Sequence, residues 1–179
     1  MRWTVETLDL VDEEITELPP KLPARLLRLF EMVENIGLDQ LHEPHVKHLD
    51  GKLWELRAKA AEGIARGIYV TVTGRRVVAC TGENETGVVM TKLADLKKKL
   101  MQNPAVQQEY AQANADYTLI EDLIRVRMEA KLTQSDLAMK IGTTQSAIAR
   151  LEGGKISPSV STLRRYAEAT GHKLKVSFV

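Results

Sequence analysis

Between Leu132 and Lys155 the sequence reads as two short helices joined at a glycine, a pattern with few foldable alternatives. Thr133, followed three residues later by Asp136, has the spacing of a capping box and predicts a helix start. Leu137, Ala138 and Ile141 supply its buried side, and Gly142 ends it because glycine takes a left-handed backbone at no steric cost. Thr143 is expected to cap a second helix whose buried positions are Ala147, Ile148 and Leu151, closed by Gly153-Gly154. Two short helices around a glycine turn, with alanines small enough to let them cross, make a helix-turn-helix.

The exposed residues of that unit carry the chemistry. With Thr143 as cap, Thr144, Gln145 and Ser146 fall in the first turn of the second helix, and Arg150 lies one turn further on. Glutamine pairs with adenine in bidentate fashion, arginine with guanine, and threonine offers a methyl to thymine. Gln134 opens the preceding helix, where backbone amides and the helix dipole favour a phosphate, and Lys155 adds a backbone contact. A helical hairpin that binds only protein is the plainer alternative. Agreement among caps, glycines and polar face favours DNA as the partner.

Composition narrows the rest. The chain of 179 residues is 44% hydrophobic and 27% charged, enough apolar content to bury a core, with aromatics at only 4%. No run of 18 apolar residues exists, so no membrane partner is expected, and the first residues lack an apolar signal core. The expectation is a cytoplasmic chain. The single cysteine, Cys80, excludes an internal disulfide and a cysteine-rich zinc site. His42, His45 and His48 recur every three residues, but Pro44 interrupts any helix there and no set of acidic or cysteine ligands accompanies them. They read as loop histidines, Cys80 as a small core residue, and no metal or cofactor is expected. Lys97-Lys98-Lys99 reads as a solvated helix face.

Charge and pattern divide the chain. Residues 1–43 carry 4 Lys+Arg against 10 Asp+Glu, 44–80 carry 7 against 3, and 90–179 carry 14 against 9. Basic regions are where a polyanion binds. Residues 2–8 alternate as a strand. Helices are expected over about 9–18 and from the prolines Pro19, Pro20 and Pro23 to Gly37, followed by strands Leu53–Lys59, Ile68–Thr73 and Val77–Cys80, with a turn at Thr73-Gly74-Arg75. Met90–Gln102 predicts a lysine-rich helix, and a long helix is expected over about 105–130. The fold class is α+β: a small antiparallel sheet with two helices, then an all-α helix-turn-helix domain. The expected divisions are 1–82, a linker over 83–89, a helical segment over 90–117 that contacts the first module or connects the two, and 118–179.

The run Thr143-Thr144-Gln145-Ser146-Ala147-Ile148-Ala149-Arg150-Leu151-Glu152-Gly153-Gly154, with Ser157-Pro158-Ser159 and Leu163-Arg164-Arg165-Tyr166-Ala167, resembles a HigA-type antitoxin with a phage-repressor-type helix-turn-helix. The resemblance covers most of 90–179 and implies a repressor that binds its own operator as a homodimer. Pro44-His45-Val46-Lys47-His48-Leu49-Asp50-Gly51-Lys52-Leu53-Trp54-Glu55-Leu56-Arg57, then Gly63-Ile64-Ala65-Arg66-Gly67-Ile68-Tyr69, resembles a RelE/HigB-type toxin of the phage-derived subgroup. That family cuts mRNA on the ribosome and uses cations to hold the phosphate chain. The resemblance makes Lys47, Arg57 and Arg66 the catalytic remnants, against the plainer reading of a solvated basic sheet face.

The sequence departs from that family after Cys80, where Thr81–Gly87 with two glutamates stands in place of a lysine-rich run and a closing helix. Met90 resembles the start of an antitoxin. The expected molecule is therefore a toxin, shortened at its end and without efficient nuclease activity, joined to its antitoxin and working as a DNA-binding repressor. The alternative is a ribosome-dependent mRNA endonuclease held in check by its fused antitoxin. At the far end Lys173-Leu174-Lys175-Val176-Ser177-Phe178 alternates and predicts a strand that covers its own domain or pairs across a two-fold.

Overall fold

Alternation at Thr4–Leu8 buries Val5 and Thr7 and leaves Thr4 exposed, which is the period of a strand with one face against a core. This strand, β1, runs straight into α1 (Asp9–Glu17) and then α2 (Lys21–Ile36). Pro23 is tolerated because it lies in the first turn of α2, where its missing N–H has no intrahelical partner. A short 3₁₀ turn (Leu38–Gln40) leads to β2 (Val46–Asp50), β3 (Leu53–Ala60), β4 (Gly63–Val72) and β5 (Arg76–Cys80). Beyond lie β6 (Met90–Lys92), α3 (Leu93–Leu100), α4 (Pro104–Glu129), α5 (Gln134–Ile141), α6 (Gln145–Glu152) and α7 (Val160–Ala169). The computed structural model describes residues 3–72, 74–80 and 90–177. The expected linker at 83–89 and the Cys80 side chain lie outside the described residues.

The chain falls into two compact units, Met1–Ala115 and Asp116–Val179, dividing within α4. In the first unit six strands form one sheet in the order β2-β3-β4-β5-β1-β6. Strands β2 to β5 are the expected antiparallel meander, now with β2 added ahead of it and β4 beginning at Gly63. The sheet as a whole is mixed, because β1 inserts parallel to β5 while β6 pairs antiparallel to β1. Register puts Val5, Leu56, Ala58, Tyr69, Val77 and Ala79 on one face, each no more than 2% exposed. Against them α2 buries Leu22, Leu26, Leu27, Leu29, Phe30 and Val33. Burial of each such side chain contributes about 1.5–3 kcal/mol, so this layer dominates the stability of the unit.

Residues 90–115 belong to this unit. The helix expected over Met90–Gln102 begins only at Leu93, since Met90–Lys92 is taken up as an edge strand paired with Glu6–Leu8. A half-buried polar cluster fixes the helices that follow. Glu31 of α2 accepts from Lys97 of α3 at 2.5 Å and from the Tyr110 hydroxyl of α4 at 2.7 Å, and also pairs with Arg28. Burial raises the Glu31 pKa, but those three donors outweigh it and the net shift is downward.

The second unit packs the end of α4 and α5 to α7 around Leu123, Leu137, Ala138, Ile148, Leu151 and Tyr166. Gly142 ends α5 with φ of 73°, as the sequence requires. Gly154 also has positive φ, and a Cβ there would sit 2.6 Å from Ile120 Cδ1, so the turn after α6 admits glycine for two reasons. The strand expected over 173–178 does not form within the described residues: 172–177 carries no strand pairing. Alternation alone does not hold a strand whose ladder has no partner. No helix among the described residues is long and apolar enough to cross a membrane.

Candidate nucleic-acid interface

The helix-turn-helix is assembled by its caps. Thr133 Oγ1 accepts from the Asp136 amide at 3.1 Å while the Thr133 amide donates to Asp136 Oδ2 at 3.0 Å, the reciprocal pair of a capping box. The Thr133 hydroxyl and amide hold the Asp136 carboxyl below its ordinary pKa. The second helix starts one residue later than its sequence suggests. The Thr143 amide is spent closing α5, donating to the Ala138 carbonyl at 2.9 Å, so extended Thr144 becomes the cap and its Oγ1 accepts from Ala147. Gln145 and Ser146 therefore occupy the first two helical positions, and Thr143 and Thr144 precede them. Thr143, Thr144, Gln145, Ser146, Arg150 and Lys155 are all exposed.

Behind this surface stands a polar network that sequence spacing does not reveal. Arg127 Nε and Nη2 donate to the two oxygens of Glu152 at 2.7 and 3.0 Å, and Arg127 Nη1 donates to the Leu132 carbonyl at 3.0 Å. Tyr166 donates to Glu152 Oε1 at 2.6 Å, and its hydroxyl lies 2.9 Å from the Leu123 carbonyl. Arg127 and Glu152 are each 4% exposed. Burial lowers the Arg127 pKa, but its bond to Glu152 outweighs this and the net shift is upward. Burial, aided by the Glu152 charge, pushes the Tyr166 phenol well above its usual range.

The network reaches the surface through two glutamines. Gln134 Nε2 donates to Glu152 Oε2 at 3.0 Å, and Gln145 Nε2 donates to Gln134 Oε1 at 2.8 Å. Gln134, expected to meet a phosphate, bridges Glu152 to Gln145. One signal for Glu152 was present in the sequence: it lies four residues after Ile148, on the buried stripe of α6, where a carboxylate requires a partner.

In the first unit, sheet register gathers the other predicted residues. Arg57 stands directly opposite Arg66 across β3 and β4, and Lys47 stands opposite Glu55 across β2 and β3. All four lie on the face turned away from the buried layer. Leu53, Ile64 and Val72 share that face and are 36–49% exposed, so it is largely open. Glu55 is the exception at 5%. Its Oε2 accepts from Arg57 Nε at 2.7 Å and Nη2 at 2.5 Å, and its Oε1 lies 3.7 Å from Arg66 Nε. The bond to Glu55 raises the Arg57 pKa further. Arg76 on the same face pairs with Glu6. Lys97, by contrast, is committed to Glu31 and Tyr110 in the helical layer. His48 packs edge-on against Trp54 at 4.6 Å between ring centroids, with Nε2 3.0 Å from the Gly51 carbonyl.

No curated protein matches the chain. Family comparison matches residues 13–98 to the family described as "Phage derived protein Gp49-like", and residues 123–174 to the family "Helix-turn-helix". The first match runs past the expected end at 82 and takes in β6 and most of α3. The chain thus joins a Gp49-like domain of the RelE/HigB-like toxin type to an Xre-type helix-turn-helix domain, an order consistent with a HigBA-type toxin–antitoxin fusion.

Proposed function

We propose that the chain is a cytoplasmic toxin–antitoxin fusion that binds an operator through α6 and represses transcription, its own included. The observation that carries this reading is the exposed first turn of α6, where a capped helix presents Gln145, already oriented by Gln134, with Arg150 one turn behind. Those are the side chains that read adenine and guanine in the major groove. In this reading a homodimer places two such helices about 34 Å apart, one turn of duplex, on an inverted repeat. The toxin-like module does not cleave mRNA efficiently, because Thr81–Gly87, with two glutamates, stands where the toxin family carries a lysine-rich run.

Operator selection followed by titration tests the assignment. Arg150→Ala is expected to lose about 1–3 kcal/mol at one base position, relaxing specificity there, whereas Lys155→Ala weakens all sequences alike. Unchanged operator affinity in both Gln145→Ala and Arg150→Ala would remove α6 from the interface.

The second reading is a ribosome-dependent mRNA endonuclease inhibited in cis. Its support is the placement of Lys47, Arg57 and Arg66 around one point of the open sheet face. Ribosome-dependent cleavage by residues 1–115, abolished by Arg66→Ala, would favour this reading over an inert module.

A further inference from the structure

We infer that Glu55 is a positioning residue for single-stranded RNA: it fixes the Arg57 and Arg66 guanidinium groups side by side so that both meet one phosphodiester. This rests on the reading of the open sheet face as an RNA surface, and it names the group that organises that surface.

The sheet creates a problem that Glu55 answers. Like charges directly opposite on neighbouring strands repel, and Arg57 and Arg66 are such a pair. Without an anchor the two long side chains would splay apart. Glu55 lies two residues before Arg57 on the same face, and its carboxylate reaches both.

Depth decides what the carboxylate does. The Glu55 side chain is 6% exposed, Arg57 27% and Arg66 62%. The anion lies at the bottom and the guanidinium groups lie above it, in partial contact with solvent. Arg127 and Glu152 in the other unit, by contrast, are both buried. Here Arg57 spends Nε and Nη2 on Glu55, while Nη1 makes no part of that fork and is left to a further acceptor. A phosphate has the oxygen geometry for such planar forks. Lys47, opposite Glu55 on β2, extends the cationic rim along the path of a strand.

The test separates positioning from charge. Fluorescence anisotropy of the full chain with a short labelled poly-uridine RNA is followed against salt, in a background carrying Arg150→Ala and Lys155→Ala to silence the helix-turn-helix. Glu55→Gln keeps the shape and adds net positive charge. A face that binds by charge alone would then hold RNA more tightly and with a steeper salt dependence. Positioning by Glu55 instead predicts affinity about tenfold weaker, the loss of a charge-assisted contact. The salt slope should fall by roughly one, because one phosphate contact is lost. Should Glu55→Gln melt below the assay temperature, Arg57→Lys at its more exposed site decides. It retains the charge but lacks the fork, and should weaken RNA to a similar degree. Wild-type affinity in either folded variant, or a gain, would overturn the role of Glu55. If Lys47→Ala, Arg57→Ala and Arg66→Ala all leave RNA affinity unchanged, the RNA-surface reading itself fails, whatever Glu55 does.

Discussion

Each unit contains a glutamate bonded to an arginine through two nitrogens, yet the two pairs are built in opposite ways. Arg127 and Glu152 are both sealed in the core, and the exposed Gln145 of α6 hangs from them through Gln134. In the sheet, only Glu55 is sealed, and the cations it holds, which the proposal offers to RNA, are themselves exposed to solvent in part or in large measure. The first design separates support from recognition, so the recognition face tolerates change without unfolding the domain. The second makes support and recognition the same atoms. A change there alters binding directly and should cost the fold less.

The largest expected effect breaks that contrast at its deeper end. Removing one partner of a buried ion pair leaves an uncompensated charge and costs about 3–5 kcal/mol. Glu152→Ala is therefore expected to unfold the second unit in mild denaturant, with Tyr166 and Gln134 losing their acceptor at once. Replacing the pair together, Arg127→Met with Glu152→Leu, is expected to be near neutral for stability while weakening operator binding, since Gln134 and Gln145 lose their anchor. Chemical denaturation of the full chain checks the first, and operator titration the second. Full operator affinity in a folded double variant would show that the glutamines hold their place without the buried pair.

How much of this was legible depends on the range of the interaction. Thr133, Asp136 and Gly142 act within a few residues of themselves, and their roles follow from spacing alone. The exposed face of α6 followed too, since helical period sets it. The neighbour of Glu152 did not, because Arg127 lies 25 residues away and only packing brings it there. The sheet face shows the same limit. That Arg57 and Arg66 share a face was expected from the meander, whereas the depth of Glu55 was not, because alternation treats Glu55 and Arg57 alike. The short β6 was lost for a similar reason. Met90-Thr91-Lys92 precedes a strong helical pattern and becomes a strand only because β1 offers an open edge. The strand expected at 173–178 failed in the converse way over its described residues, with alternation present and no partner strand among the described residues.

Two adjacent threonines give a smaller and sharper test of local legibility. Thr144 is the cap that accepts from Ala147, while Thr143 contributes its backbone to the preceding turn. Thr144→Ala is expected to cost about 1 kcal/mol, the usual loss of a helix cap, and Thr143→Ala a few tenths at most. Thermal melts of the two variants should separate clearly. Equal losses would mean that α6 starts at either threonine with little preference, and the order of the first turn against DNA would need to be redrawn.

The smallest expected effect is in acid, and it again sets one unit against the other. Glu31 in the first unit and Asp136 in the second both have pKa values lowered by folding. Each is therefore deprotonated more readily in the folded chain than in the unfolded one. The stability each contributes is fully present above its unfolded value, about 4, and is lost as pH falls through the lower folded value. The unfolded chain takes up the proton first, so acid pulls both units toward unfolding. Glu31 serves Lys97, Arg28 and Tyr110 in a half-buried site, whereas Asp136 serves Thr133 at the surface. Glu31→Gln should accordingly flatten the acid side of the stability profile of the first unit more than Asp136→Asn flattens that of the second. Urea midpoints between pH 7 and about 3 measure both. In each case variant and wild type should converge in acid, because a protonated carboxyl and its amide replacement then offer nearly the same bonds. A gap that widens toward low pH would mean that the carboxylate is destabilising in the folded chain, contrary to the downward shift of its pKa.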